Sequence, residues 1–409
     1  MLNVEVRHPA QRSLRLAVVT ETYPPEVNGV AMTIARLVEG LRARNHSIQL
    51  VRPRQDKTET AGAADSDTGF HEVLMRGLPI PRYPHLKMGV PSKKALVELW
   101  SLRRPDLVHI VTEGPLGWSA LQAAKRLKLP VTSDFRTNFH AYSQHYGVGW
   151  LHRPIVAYLR KLHNQTLCTF VPTEGLRQNL LAHGFENLKV AARGVDTTLF
   201  SPAKRSTALR RQWGATDATR VVLSVGRLAA EKNLATVVAA YESLQQTTPD
   251  SRLVVVGDGP ERKALQARCP DAVFAGTQLG EALATHYASS DVFLFPSTTE
   301  TFGNVTTEAM ASGLAVLAYD YAAAAEYIRS GDNGLLAAFN HTADFVAQAA
   351  LLAANTEQVH ALGAQARQTA LGLGWERIVE QVEHSMLAVL RSSAQPRPSA
   401  LIEGNVESW

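Results

Sequence analysis

Cysteine is nearly missing from this chain: Cys168 and Cys269 are the only two, and they lie far apart. That excludes a disulfide framework and a cysteine metal site. Long hydrophobic runs are missing as well. No stretch approaches the roughly 18 uninterrupted apolar residues that a membrane-spanning helix needs. The opening MLNVEVRHPAQRS has no apolar signal-peptide core, so a cytoplasmic, non-spanning protein is the expectation. Aromatic residues make up 7% of the chain and are seldom interleaved with basic ones, which argues against a nucleic-acid partner. The 14 histidines show no ligand spacing, and no Gly-x-Gly-x-x-Gly follows the first apolar run, so a nicotinamide site loses its main support. Neither a metal nor a cofactor is expected.

What is present is ordinary globular composition, 45% hydrophobic and 19% charged. At 409 residues the chain is too long for one core, and two domains follow. The net charge of +5 hides an asymmetry. Positions 1–195 hold 26 basic against 15 acidic residues, whereas positions 196–409 hold 16 against 22. A basic half of this kind can face anionic lipid, or solvent alone.

Short apolar runs alternate with helical patterns, which predicts parallel sheets covered on both faces, an α/β fold. In the first half the predicted strands are Leu14–Thr20, Ser47–Val51, Asp106–Val111, Leu129–Phe135 and Cys168–Thr173, with helices such as Ala31–Arg44 and Gly117–Leu127. The pattern restarts with Arg220–Gly226, Ser251–Gly257, Ala272–Gly276, Asp291–Ser297 and Leu314–Asp320. Two doubly wound domains are therefore expected, 14–195 and 196–375, joined near Arg193–Pro202. Residues 53–72 read as a polar surface loop, 1–13 as a tail, and 392–409 as a small, polar, disordered tail.

Ligands of open α/β sheets sit beyond the carboxyl ends of the strands, which directs attention to four strand ends. After the first strand, TETYPPEVNGV places Asn28 and Gly29 before a helix, so backbone N–H groups can face a ligand. In VGRLAAEKNL, Arg227 and Lys232 would suit a diphosphate, the one by its fork and the other as a point charge. The Gly-Asp-Gly-Pro turn of VVVGDGPER reads as structural. In FPSTTETFGNVTTEAMASG, Gly303 and Asn304 open a helix whose N-terminus favours negative charge. Glu300 and Glu308 flank that start, and carboxylates beside a phosphate are better suited to hydroxyl groups. Helix capping is the bland reading of the same segment.

Here the chain resembles the retaining nucleotide-sugar glycosyltransferases of family 4, with ETFGNVTTE as the E-x7-E element. The resemblance spans roughly 14–390 and includes ETYPPEVNGV, RGVDTTLF, GRLAAEKNL and GDGPER. It implies the GT-B fold, two Rossmann-like domains facing across a cleft, with a final helix at 376–391 packing back on the first. By similarity, Asn28 and Gly29 lie near the donor phosphates, and Arg227 and Lys232 bind the diphosphate. Glu300 contacts the transferred sugar, Phe302, Gly303 and Asn304 close over sugar and phosphate by backbone groups, with Val305 also at the substrate, and Glu308 accepts from the ribose. Thr277 and Gln278 match the segment that holds the base. Where relatives carry a sugar-contacting histidine this chain has Arg136, with His140 four residues on; both are catalytic candidates. Where many relatives have a glycine pair, it has Ala322 and Ala323, followed by a retained Glu326.

The resemblance also implies retention of configuration without metal. Asp65–Asp67 reads DSD, like the metal motif of other glycosyltransferases, but it sits in the polar loop rather than at a strand end. The nearest subgroups are GDP-mannose-dependent α-mannosyltransferases and diacylglycerol glycosyltransferases. The expected partners are accordingly a GDP- or UDP-linked sugar, a lipid or glycolipid acceptor, and an anionic membrane surface at the inner face of the cell membrane. Leu151, Ile155, Leu159 and Leu162 form an apolar stripe amid Arg153, Arg160 and Lys161, a pattern shared by packed core and interfacial helices. Soluble sugar acceptors and nucleotide-sugar epimerisation are the alternatives.

Overall fold

The computed structural model describes residues 13–26, 28–56, 59, 69–80, 83–136 and 152–394. The termini, Asp65–Asp67, His140 and Leu151 lie outside the described residues, so the tail, metal-motif and histidine expectations fall outside them too. Two parallel sheets organise the chain. The first contains seven strands in the order β3-β2-β1-β6-β7-β8-β9. Their spans are β1 Arg15–Val19, β2 Ser47–Pro53, β3 Phe70–Met75, β6 Leu107–Ile110, β7 Val131–Asp134, β8 Cys168–Val171 and β9 Leu188–Val190. An antiparallel hairpin, β4 Gly77–Ile80 with β5 Tyr83–Gly89, stands apart from that sheet. The second contains six strands in the order β12-β11-β10-β13-β14-β15. These are β10 Arg220–Val225, β11 Ser251–Val256, β12 Val273–Gly276, β13 Val292–Phe295, β14 Ala315–Tyr319 and β15 Leu335–Ala337.

The central strands form where the sequence is apolar without alternation, because both faces are covered by helices. In β10 and β13 every residue is buried. Val221, Leu223 and Val225 face one core while Val222 faces the other. The first sheet is sandwiched in the same manner, with Leu16 and Val18 on one side and Ala17 and Val19 on the other.

The structure adds strands to those expected from the sequence and corrects one loop. Phe70–Met75 is a strand paired with β2, so the loop assigned to 53–72 is shorter at both ends. The helix Trp375–Ala394 runs past the assigned tail boundary at Ser392. Its Val379, Val382, Met386 and Val389 join Leu37, Val38 and Leu41 in the core of the first sheet. A Cβ on Gly40 would come within 2.4 Å of the Val379 side chain, so the two helices meet through a residue without one. Buried Glu383 fixes this crossover by accepting from Arg44 Nε at 2.5 Å and sitting 2.8 Å from His46 Nε2.

The stripe on the helix His152–His163 belongs to the interior at its carboxyl end. Leu159 packs with Phe135, Val171, Leu180 and Phe185, and Leu162 is buried in the core on the Ala17 and Val19 face of the sheet. No helix among the described residues is long and apolar enough to cross a membrane.

Candidate active site

The carboxyl ends of the two sheets face a cleft of about 1090 Å³. Asn28, Gly29, Arg36 and Arg136 line it from the first sheet, and Arg227, Lys232, Glu300, Gly303, Asn304, Val305 and Glu308 from the second. The segment Arg193–Asp196 and Trp375 close its floor, where the chain passes twice between the two halves.

On the second sheet, Pro296 and Ser297 end β13, and the chain loops to Gly303 at φ +89°. A side chain would strain that backbone, whereas glycine turns freely into the helix Asn304–Ala311. The loop leaves Glu300 facing the cleft. Its Oε1 accepts from Ser297 Oγ at 2.7 Å and from Lys232 Nζ. Lys232 comes from a single 3-10 turn, Ala230–Lys232, held by Asn233 at φ +54°. Arg227 is exposed and paired with Glu231. Both cations assigned to a diphosphate therefore line the cleft, each with a carboxylate already in hand.

Glu308 lies one turn into the same helix and accepts from Tyr287 Oη at 3.1 Å. Burial pushes its carboxyl up to about 7, against the opposing effect of the Tyr287 hydrogen bond. Glu308 therefore holds its proton to a higher pH than an ordinary glutamate.

Asn28 caps the helix Gly29–Ala43, its Oδ1 accepting from Val30 N at 3.1 Å and Ala31 N at 2.9 Å. Its cleft-facing role is shared with this capping. Glu21 is turned to the helix Pro115–Arg126, where its Oε1 accepts from Leu116 N at 2.9 Å. Arg136 leaves the end of β7 and returns to Asp134, with Nε 2.8 Å from Oδ2. Burial works to raise the Asp134 carboxyl, but Arg136 and then His109 outweigh it and hold it well below the usual range.

Two expected positions do not line the cleft, and a third has its side chain in the core. Thr277 is exposed, and Gln278 donates to Ala275 O at 2.7 Å; neither lines the cleft, whose edge there is Leu279, Gly280 and Leu283. Phe302 is core, packed edge-on to Tyr327 with its carbonyl accepting from Ala323 N at 2.8 Å. The Gly-Asp-Gly-Pro turn is a packing device: a Cβ on Gly257 would lie 1.9 Å from the Gly226 carbonyl oxygen.

Sequence reasoning missed Arg193, which belongs to a quoted motif but had no assigned role. It is 5% exposed. Nη1 donates to Asn304 Oδ1 at 3.3 Å and Nη2 to Thr301 Oγ1 at 3.2 Å, while Nε has no partner among the described residues. Burial, and then the charge of Arg136, lower its ionisation to about 9. Glu326 was also underread: from the second half it accepts from Glu174 N at 2.6 Å, at the start of the helix Glu174–Ala182 in the first. No cluster of metal-ligating side chains occurs among the described residues.

Comparison with known proteins agrees with this architecture. Residues 27–199 match the family model described as Glycosyltransferase Family 4, and residues 205–369 match Glycosyl transferases group 1. A GDP-mannose-dependent alpha-mannosyltransferase of Corynebacterium glutamicum is 36% identical over 80% of this chain and 77% of its own length. An alpha-monoglucosyldiacylglycerol synthase of Streptococcus pneumoniae is 26% identical over 75% of this chain and 71% of its own. Among solved structures, sucrose-phosphate synthase from Thermosynechococcus elongatus superposes with a TM-score of 0.72 at 18% identity, covering 93% of this chain and all of that one. Two parallel sheets facing across a cleft, the strand-end constellations and these matches together make the chain a glycosyltransferase of family 4, with the GT-B fold.

Proposed function

We propose that the protein transfers a hexose, mannose from GDP-mannose in the first instance, to a hydroxyl of a lipid or glycolipid acceptor, with retention and without metal. The observation that carries the reading is the spacing of chemistry along one cleft wall: Glu308, the helix start at Asn304, Lys232 and Glu300. A nucleotide sugar has the matching sequence of groups, with hydroxyls at both ends and charge between them. The names of the mannosyltransferase and diacylglycerol relatives support the donor and the acceptor class.

In the reaction the sugar C1–O bond to the diphosphate breaks and its electron pair stays on the phosphate oxygen. The acceptor oxygen bonds to C1 on the same face, and its proton passes to the departing phosphate. Negative charge grows on the diphosphate, where Lys232, Arg227 and the N-terminus of the helix Asn304–Ala311 stabilise it. Glu300 and Glu308 hold hydroxyls, and neither is assigned as a nucleophile. The basic first half favours peripheral contact with an anionic membrane.

Incubation of the purified chain with GDP-mannose or UDP-glucose, and with diacylglycerol or glycolipid extracts, tests the reading. An α-linked glycolipid formed equally with and without EDTA is expected. A β-linked product, dependence on added metal, or release of an epimerised nucleotide sugar without transfer would overturn it. Flotation with anionic vesicles at low salt tests membrane contact, and failure to float removes that part alone. The second reading, transfer from a UDP-sugar to diacylglycerol, rests on the second relative and differs in which donor is consumed.

A further inference from the structure

Among the described residues five cationic side chains line the cleft: Arg36, Arg136, Arg193, Arg227 and Lys232. Four hold a carboxylate in ion-pair contact, namely Asp196, Asp134, Glu231 and Glu300 respectively for Arg36, Arg136, Arg227 and Lys232. Arg193 is different. Among the described residues no carboxylate lies within 4.0 Å of it, yet it is the most deeply buried of the five in the cleft floor. Its contacts are neutral oxygens, Asn304 Oδ1 and Thr301 Oγ1, together with the Phe302 ring at 5.8 Å. Its Nε is buried without a partner among the described residues.

A buried charge of this kind is costly unless something neutralises it. The neighbouring Arg136 worsens that cost, since like charges repel, and the charges of Glu300 and then Asp134 act the other way without reaching ion-pair distance. Position tells what would relieve it. The guanidinium lies between two helix starts, with Nη1 3.5 Å from where a Gly29 Cβ would stand and the same atom bonded to Asn304. The helix Asn304–Ala311, which has no side-chain cap, presents N–H groups and partial positive charge at that point, and the helix Gly29–Ala43, whose Val30 and Ala31 N–H groups Asn28 already caps, adds its dipole. Three sources of positive potential thus converge on one spot, from both halves of the molecule, and no protein anion occupies it among the described residues.

We propose that Arg193 is a contact for the sugar-linked phosphate of the donor, reaching it from the floor of the cleft opposite Lys232. The assignment rests on the nucleotide-sugar reading above. Binding would bring a phosphate oxygen to the cleft-facing guanidinium, where Nη1 and Nη2 each donate one hydrogen bond to the protein and carry a second N–H. As the C1–O bond breaks and the electron pair settles on that phosphate, the charge–charge attraction strengthens, so Arg193 acts on the leaving group as well as on binding. Its ties to Thr301 and Asn304 also place it on the loop that carries Glu300, coupling phosphate capture to the position of the sugar-binding segment.

The test is titration calorimetry with whichever of GDP, UDP or ADP the wild-type chain binds most tightly, and with the matching monophosphate. In Arg193→Gln, diphosphate affinity should fall about 10- to 100-fold, the range of a lost charged hydrogen bond. Monophosphate affinity should change by less than about 3-fold, and kcat for transfer should fall along with diphosphate affinity. If Arg193→Gln fails to fold, Arg193→Lys decides. A point charge on another stem loses the forked contact, so the preference for diphosphate over monophosphate should shrink at unchanged melting temperature.

An unchanged preference in the folded variant overturns the assignment, as does equal weakening of both nucleotides. Unchanged diphosphate affinity with a raised KM for an anionic acceptor would move the guanidinium to an acidic group of the acceptor and overturn it likewise. Failure of the wild-type chain to bind any of the three diphosphates would instead sink the donor-site reading itself, so the two failures are distinct.

Discussion

Lys232 and Glu300 are joined across the second sheet, the lysine on the turn after β10 and the glutamate on the loop after β13, with Ser297 donating to the same carboxylate oxygen. Both side chains are largely buried, at 19% and 16% exposure, so in the absence of donor each neutralises the other. A nucleotide sugar can break this pair at little cost, because it offers a phosphate to the cation and a hydroxyl to the anion.

It follows that Lys232→Ala and Glu300→Gln should each cost at least about 100-fold in kcat/KM, the scale of losing one stabiliser of developing charge. The effects should be non-additive, since each change also strips the other side chain of its partner. Activity assays on the single and double variants check this, with circular dichroism to show that each remains folded. Near-normal turnover in both single variants would remove the pair from the site.

Glu308 gives a pH signature. Its carboxyl is pushed up to about 7 by burial, and the ionised form accepts hydroxyl hydrogen bonds more strongly than the protonated one. Nucleoside-diphosphate affinity should therefore rise between about pH 6 and pH 8 as the site loses its proton. Stability runs the other way. A folded-state value above the unfolded one means that the folded chain holds its proton longer, so stability falls as pH rises from about 4.5 to about 7. In Glu308→Gln this residue's share of both trends should vanish, and calorimetric titration with denaturant melts across that range would reveal it. Identical pH profiles for wild type and variant would exclude Glu308 as the titrating group.

How much of this was legible beforehand depended on whether a feature was local. The central strands of both sheets were readable because burial on both faces leaves continuous apolar runs such as VFLF at 292–295. The helix start at Asn304 was readable from Gly303, whose left-handed backbone is a local requirement. Three-residue strands such as Leu188–Val190 carry too little pattern to find. Strand Phe70–Met75 is half-buried along its length and follows a polar run, so neither alternation nor apolarity marks it. Arg193 was invisible for a different reason. Its significance lies in a carboxylate it does not meet and in two helix starts far from it in sequence, which only tertiary structure assembles. Thr277 and Gln278 stand just before the residues at which the chain lines the cleft, Leu279 and Gly280.

Ala322 holds a conformation suited to glycine. Its φ is +55°, at the start of the helix Ala322–Tyr327, where the family resemblance led one to expect glycine. A left-handed alanine costs about 1–2 kcal/mol, partly offset by the greater freedom glycine has in the unfolded chain. Ala322→Gly should therefore stabilise the protein by about 0.5–1 kcal/mol, read as a higher urea midpoint at unchanged slope. A lower midpoint would mean that the methyl group packs better than its backbone suffers.

Glu326 ties the two halves together. It stands on the helix that Ala322 begins, and its Oε1 accepts from the backbone N–H groups of Glu174 at 2.6 Å and Gly175 at 3.4 Å. These are the first N–H groups of the helix Glu174–Ala182, already capped at Leu176 N by Thr173 Oγ1. A carboxylate there gains from the hydrogen bonds and from the helix dipole alike. Because the donor and acceptor lie on opposite sides of the cleft, the contact opposes its opening. Glu326→Ala should lose about 0.5–2 kcal/mol of that opposition, as for loss of a helix cap. The expected results are a larger radius of gyration in small-angle scattering without donor, and a raised KM with kcat reduced by less than about 10-fold. Glu326→Gln, which keeps an accepting oxygen but loses the charge, should fall between wild type and alanine. Scattering curves that coincide for all three proteins would show that the contact does not govern the opening of the cleft.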